Sequence, residues 1–396
     1  NDKIMAAATA ALRWRACLIA LVALQILATN AFEAAPRPLH NMKNITGPSK
    51  RVNATYQINL DLQPELRWKK AAKDYQKELE YTVDHVISAL PSSVQKLIPY
   101  LEGVLDGIEG VLPEPYRDEI RGISEATGIP AGQLLIVNIF YELETGCTGV
   151  VVYDKANNIT LHGRNLDYGI AGLQNLTVNV EFVKNNTVIT RATTYVGYIG
   201  LLTGSSPLGF SVQLNERDTK NGSVWDNAFE ALFRGGAIGG FFLRDMLIEG
   251  VSFDAAVAKA ATQPLIAPCY LIFGGPNGEG AIVVRERDSS VDTLRLSDER
   301  NPYGWFLIQT NYDFWKPAPS NDDRRSYTKQ HMEALGRGNM TSQALFHNIM
   351  SAWPTLNAET TYTTIMTSSY KPYPAGLSDE DKQKLIPPYF TYTRNN

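Results

Sequence analysis

Three cysteines occur in 396 residues, and one of them sits where a thiol could do chemistry. Cys147 lies in Glu144-Thr145-Gly146-Cys147-Thr148-Gly149, directly ahead of the apolar, β-branched run Val150-Val151-Val152-Tyr153. A flexible approach, a thiol and then a strand is what is expected if the Gly146–Cys147 bond is cut and the thiol opens a new chain. Such a cysteine carries the nucleophile and, in its own α-amine, the base that activates it. On its own, Cys147 equally fits a small apolar residue at the start of a strand. Cys17 lies in an apolar N-terminal stretch, and Cys269, in Ala267-Pro268-Cys269-Tyr270-Leu271-Ile272, reads as a core strand residue. So few thiols cannot build a disulfide framework.

Polar clusters that interrupt apolar sequence are the next candidates. Leu161-His162-Gly163-Arg164-Asn165-Leu166-Asp167-Tyr168 falls where a hairpin return should pass beside the Cys147 strand. An arginine near a thiol favours thiolate, and a carboxylate can hold an α-amine. A salt-bridged turn fits the same residues. Leu214-Asn215-Glu216-Arg217-Asp218 and Gln309-Thr310-Asn311-Tyr312-Asp313 close two further expected strands, and Asp322-Asp323-Arg324-Arg325 follows the second. Strand ends are where rigid scaffolds present reactive groups, and an asparagine amide there can donate to a developing oxyanion. Asp322–Arg325 also suits a solvated helix start. Other chemistries lack their marks. His40, His85, His162, His331 and His347 show no ligand spacing, no G-x-S-x-G is present, and Gly235–Gly240 matches neither dinucleotide nor Walker patterns.

The elements that must position these groups change texture at Cys147. From Leu66 to Glu144 the spacing is helical: one helix runs from Trp68 through Leu90, a second spans Val94–Leu112, and a third opens at Tyr116. The Val94–Leu112 helix has a thin polar side and either packs on the core or meets lipid. After Cys147, strands are expected at Val150–Tyr153, Ile159–His162, Thr177–Phe182, Val188–Tyr195, Phe210–Leu214, Cys269–Phe273, Ala281–Arg285 and Trp305–Gln309, the last clear one. Helices are expected at Trp225–Phe233, from Gly239 to Ala261, at Tyr327–Leu335 and at Gln343–Ser351. Strands in two groups with helices between and after them predict layered packing.

The start of the chain reads as a secretory leader: Arg13 and Arg15, an apolar core from Cys17 to Ala28, and the small-residue exit Thr29-Asn30-Ala31. Seven N-x-Ser/Thr sequons, at Asn44, Asn53, Asn158, Asn175, Asn185, Asn221 and Asn339, point to a glycosylated lumenal or extracellular protein and place those positions on the surface. A net charge of −4, from Lys+Arg 37 against Asp+Glu 41, gives no basic stripe for a nucleic-acid partner.

Cys147-Thr148, then His162–Tyr168, then Asn215-Glu216-Arg217, then Thr310–Asp313 with Asp322–Arg325, together with the opening Pro64-Glu65-Leu66-Arg67-Trp68, resemble the acid ceramidase family over nearly the whole mature chain. The resemblance implies an N-terminal nucleophile hydrolase with an αββα sandwich and a helical N-terminal subunit. It divides the chain into a leader (1–34), a helical α subunit (35–146) and a catalytic β subunit (147–396) released by self-cleavage at Gly146-Cys147. It makes Cys147 the nucleophile, Asp167 the group that orients the freed amine, and Arg164 the support of thiolate and bound carbonyl. Glu216 becomes the acidic residue of self-processing, Asn311 the oxyanion donor and Arg324 the tie of the network, with Tyr168 and Leu202 against the substrate. No metal or cofactor is implied. The substrate class is a fatty acid ethanolamide in a lysosomal lumen at a membrane surface, with ceramide as the alternative. A non-catalytic lipid-binding glycoprotein on the same fold and a hydrolase of another amide are the remaining readings. Leu202-Thr203-Gly204 looks like the ceramide-hydrolysing members, while Gly149 departs from the serine that usually follows Cys-Thr.

Overall fold

The computed structural model describes residues 49–89, 95, 112, 114–140, 146–170, 172–206, 209–217, 236–368, 373–378, 381 and 389–394. The expected leader, the sequons Asn44 and Asn221, nearly all of Val94–Leu112 and the helix expected at Trp225–Phe233 lie outside them.

Among the described residues, runs rich in Val, Ile, Thr and Phe form fifteen strands: β1 (Ser49–Arg51), β2 (Thr55–Asn59), β3 (Gly146–Asp154), β4 (Ile159–Asp167), β5 (Thr177–Lys184), β6 (Thr187–Tyr195), β7 (Thr203–Ser206), β8 (Phe210–Glu216), β9 (Cys269–Gly274), β10 (Gly280–Arg285), β11 (Ser290–Arg295), β12 (Phe306–Gln309), β13 (Thr360–Thr367), β14 (Tyr373–Pro374) and β15 (Phe390–Arg394). One sheet has the order β1-β15-β13-β4-β3-β12. The second runs β11-β10-β9-β8-β7-β6-β5-β2, with β14 added beside β6. Pairings are antiparallel except that of β2 with β5, which is parallel.

The sheets stack face to face. Val151 and Leu307 of the first meet Tyr270, Ile272, Ile282 and Val284 of the second in a dry cluster. Beyond the first sheet, Val150, Val152, Leu161, Phe306 and Ile308 pack on Met332 of the helix Arg324–Leu335 and on Leu345, Phe346, Ile349 and Met350 of the π-helical turn Leu345–Met350. Beyond the second, Phe210, Val212, Leu271, Phe273 and Val283 meet the helices Gly239–Glu249 and Phe253–Thr262. That is the expected αββα sandwich. With both faces covered, β3 and β4 are buried almost end to end, so they read as continuous runs instead of alternating ones.

Several boundaries differ from the sequence reading, each for a physical reason. Gly146 and Cys147 already belong to β3, paired with Asp167 and Leu166, so the thiol is a strand residue and not the end of a flexible approach. The polar cluster His162–Asp167 is strand, not turn, because the opposite sheet and the outer helices satisfy its polar groups. The helix expected from Trp68 through Leu90 is two, Lys69–Asp74 and Gln76–Ala89, broken at Tyr75, and the short helix Pro64–Arg67 precedes them. The stretch from Gly239 divides at Gly250, whose φ of 73° caps the first helix in the left-handed region. Trp305–Gln309 is not the last strand: threonine-rich β13 follows and fills the slot between β4 and β15. The part ahead of Cys147 is not purely helical either, since β1 and β2 close one edge of each sheet.

Candidate active site

The β3–β4 hairpin brings the first two clusters together. Its register sets Gly146 opposite Asp167, Cys147 opposite Leu166 and Gly149 opposite Arg164. Alternation then sends Cys147 and Arg164 to the face between the sheets, where the Arg164 Nη2–H donates to Cys147 Sγ at 3.3 Å. Arg164 Nη1 is anchored on the β8 backbone through the Leu214 carbonyl at 2.8 Å. Thiol and guanidinium are both fully buried. A cation at hydrogen-bond distance would stabilise negative charge developing on that sulfur.

Two further residues hold the Cys147 main chain. Its N–H donates to Asn311 Oδ1 at 2.8 Å, and its carbonyl accepts from Arg324 Nη1 at 3.0 Å. Arg324 opens its helix immediately after the cap Asp323, so the fold delivers its guanidinium from the outer helical layer. That one group also donates to Asp167 Oδ2 at 3.0 Å, to Asn311 Oδ1 at 2.9 Å and to both oxygens of Asp322 at 2.6 and 2.7 Å. A planar fork with five N–H donors suits this task, and a lysine could not reproduce it. Asp167 Oδ1 accepts from the Thr360 hydroxyl at 2.6 Å and Oδ2 from Asn357 Nδ2 at 2.8 Å. Burial pushes the Asp167 carboxyl up to about 6, against the downward pull of Arg324, Thr360 and Asn357.

Cys147, Arg164, Asp167, Asn311 and Arg324 therefore meet around one residue, with Asp167 joined through Arg324. Glu216 joins through its main chain: its carbonyl accepts from Asn311 Nδ2 at 3.0 Å. The same bond commits one Asn311 N–H in the uncut chain, so the amide expected to serve an oxyanion also ties β8 to the site. Tyr168 and Leu202 are buried in the same apolar cluster as Cys147. The Tyr168 N–H is held by the Glu359 carbonyl at 2.7 Å, and the Leu202 carbonyl accepts from Leu214 N–H. Cys269 is a buried strand residue, as expected. The described sequons Asn53, Asn158, Asn175, Asn185 and Asn339 are all exposed.

Sequence reasoning missed Thr360 and Asn357, which hold Asp167, and Asn215, whose Oδ1 faces Arg164 Nη1 at 3.4 Å while its Nδ2 donates to the Gln309 and Thr310 carbonyls at 3.1 and 3.2 Å. Asn215 stood in a quoted cluster without a role. Thr360 and Asn357 carried no local signal, because they reach Asp167 only through the β4–β13 pairing.

A family model described as the beta subunit of N-acylethanolamine-hydrolyzing acid amidase matches residues 54–112, wholly ahead of Cys147. The N-acylethanolamine-hydrolyzing acid amidase of Cavia porcellus is 38% identical over 314 residues, which cover 79% of this chain and 86% of that protein. The chain belongs to the family of N-acylethanolamine-hydrolysing acid amidases and acid ceramidases. The acid ceramidase of Mus musculus, 35% identical over 354 residues, covers 84% of this chain and 89% of its own length. Among solved structures, a Caenorhabditis elegans ortholog of N-acylethanolamine-hydrolyzing acid amidase superposes with a TM-score of 0.52 at 31% identity, over 63% of this chain and 100% of that one. Family and fold agree: the protein is an amide-hydrolysing N-terminal cysteine hydrolase.

Proposed function

We propose that the enzyme hydrolyses fatty acid ethanolamides such as palmitoylethanolamide to fatty acid and ethanolamine, after cutting itself between Gly146 and Cys147. The observation that carries this reading is the triple hold on one residue: Arg164 on the Cys147 thiol, Asn311 on its N–H and Arg324 on its carbonyl. Groups so placed serve both reactions. In the precursor, Sγ adds to the Gly146 carbonyl. The C–N bond breaks as the nitrogen takes a proton, and a thioester remains, which water hydrolyses to the Gly146 carboxylate, free thiol and free amine. That amine sits where Asn311 already accepts a hydrogen bond, with Asp167 nearby through Arg324.

In turnover the amine takes the thiol proton as sulfur attacks the fatty amide. Asn311 donates its second amide hydrogen to the oxyanion, and Arg164 supports the developing charge. The amine then returns its proton to the leaving ethanolamine, and water releases the fatty acid from the thioester. Glu216 serves the processing step, while Tyr168 and Leu202 line the acyl side. The expected leader and the exposed sequons support a glycosylated, lumenal enzyme, and the family supports placing it in the lysosome as two subunits from one precursor. The thin polar side of Val94–Leu112 supports contact with a membrane surface. No helix among the described residues is long and apolar enough to cross one.

Ceramide is the second reading, favoured by the 35% identity to mouse acid ceramidase and by Leu202. The test is acid incubation of the secreted protein beside Cys147→Ala, with intact-mass analysis and then turnover of palmitoylethanolamide and ceramide. Fragments meeting at Gly146/Cys147, lost in the variant, together with preferential ethanolamide turnover support the proposal. An uncut chain active on neither lipid overturns it and favours a lipid-binding protein.

A further inference from the structure

Between the sheets, behind Arg164, runs a line of fully buried polar side chains that the mechanism does not use. Ser211, Gln213 and Asn215 alternate along β8 and face His162 and Arg164 of β4. His162 Nδ1 lies 3.0 Å from Ser211 Oγ, and Nε2 lies 3.0 Å from Gln213 Oε1. An amide oxygen only accepts, so the Nε2 atom carries the proton and Nδ1 accepts from the Ser211 hydroxyl. Gln213 Nε2 then donates to Asn215 Oδ1 at 2.6 Å, the oxygen that faces Arg164. Donation runs from Ser211 as far as Asn215 Oδ1, which accepts from Gln213 on one side and from Arg164, the arginine that holds the thiol, on the other.

Room for this line is made by two glycines. A Cβ on Gly149 would lie 2.7 Å from Gln213 Nε2, and one on Gly274 would lie 2.7 Å from Ser211 Oγ. Gly149 is thus matched to the glutamine opposite it. Burial pushes the His162 imidazole down to about 3, so it stays neutral at the pH of an acidic lumen and keeps this donor pattern.

We infer that His162 and Gln213 are positioning residues: through Asn215 they fix the Arg164 guanidinium on the Cys147 thiol, and Gly149 exists to admit Gln213. The inference rests on Cys147 being the nucleophile. Its test reads the thiol directly, by the pH profile of iodoacetamide alkylation of the processed enzyme, alongside kcat and KM.

Loosening a cation that stabilises thiolate should move the profile upward by about one pH unit in Gln213→Met and lower kcat about ten-fold at constant KM. The effect should weaken with distance from the thiol, through His162→Leu to Ser211→Ala. His162→Gln, whose amide can still donate to Gln213 Oε1, should recover most of it, and Gly149→Ser should mimic Gln213→Met. Folded variants with the parental alkylation profile overturn the inference. If Gln213→Met does not fold, the histidine pair decides: equal profiles for His162→Leu and His162→Gln overturn it. Parental enzyme that stays active after its thiol is alkylated would instead sink Cys147 as nucleophile, a separable failure.

Discussion

Removing the charge of Glu119 should separate the two parts of the molecule. Glu119 sits in the helix Tyr116–Thr127 with its side chain fully buried, and its carboxylate accepts four hydrogen bonds. Trp68 Nε1 donates at 2.7 Å, Arg67 Nη1 at 3.0 Å, and Arg244 Nη1 and Nη2 at 2.5 and 2.7 Å. Arg244 lies beyond Cys147, on the helix Gly239–Glu249, and is 1% exposed. It also donates to the Ile199 carbonyl at 2.8 Å, with its guanidinium carbon 5.0 Å from the rings of Tyr116 and Phe182. Glu119→Gln leaves Arg244 buried without its counter-charge, a change that costs about 3–5 kcal/mol. Arg244→Met should cost less, because Arg67, 12% exposed, still compensates Glu119. In the uncut chain the loss appears as a lower melting temperature. After the proposed cleavage the same contact would join two chains, and the loss would become a dissociation constant raised from about a hundred-fold to several-thousand-fold. Size-exclusion chromatography of the acid-processed variant over a dilution series reads it, with thermal unfolding of the variant on a Cys147→Ala background as control. A Glu119→Gln protein that melts like its parent and stays whole on dilution would refute the argument, for it would mean that the carboxylate carries no net energy across the junction.

Three other outcomes follow from particular contacts. Asp167 is raised in the folded state above its ordinary 3.8 to about 6, so its neutral form is favoured by folding. That stabilisation is complete below about 4 and lost as pH rises through about 6, roughly 3 kcal/mol at most, so on a Cys147→Ala background Asp167→Asn should gain in melting temperature relative to its parent as pH rises through this window, and parallel curves would disprove it. Arg324→Lys should slow both self-cleavage and turnover about a hundred-fold, because a point charge cannot serve Asp322, Asp167, Asn311 and the Cys147 carbonyl together; timed cleavage gels and kcat measure it. Gly122→Ala should destabilise by about 1–3 kcal/mol in a denaturant titration without changing the kcat of whatever folds, since its Cβ would fall 1.9 Å from the Glu65 carbonyl oxygen.

What the sequence disclosed and what it hid divide along the range of the interactions. The clusters that hold Cys147, Arg164, Asp167, Asn311 and Arg324 were legible as polar residues breaking apolar runs, and the family resemblance, not the local pattern, assigned their roles. The helix at Tyr116–Thr127 and the strands flanking Gly274–Gly280 kept their local periods and emerged nearly as expected. β13 stayed hidden because Thr360-Thr361-Tyr362-Thr363-Thr364 shows no apolar alternation. Its hydroxyls are satisfied by partners distant in sequence, such as Thr364 Oγ1 on Thr193 and Thr363 Oγ1 on Asn165. The supports of Asp167 were invisible for the same reason. His162 was quoted as a polar oddity, and only the facing sheet explains it.

Cleavage at Gly146 should leave this site standing, and the β3 pairings say why. The new terminus is not a loose end: Cys147 to Asp154 remain paired with β4 down to Ile159, and Gly149 to Val152 with β12 on the other side. Only the Gly146–Asp167 pair is given up, and that pair lies at the tip of the hairpin. The Cys147 carbonyl keeps Arg324 and its thiol keeps Arg164, while its nitrogen changes from one N–H on Asn311 to an amine that can give and take a proton. The proposed cut would thus change the chemistry of one atom while the pairings around it remain. A protein in which the nucleophile preceded the strand instead of opening it would have to order that segment again after the cut, at about 1–2 kcal/mol of backbone entropy for each residue.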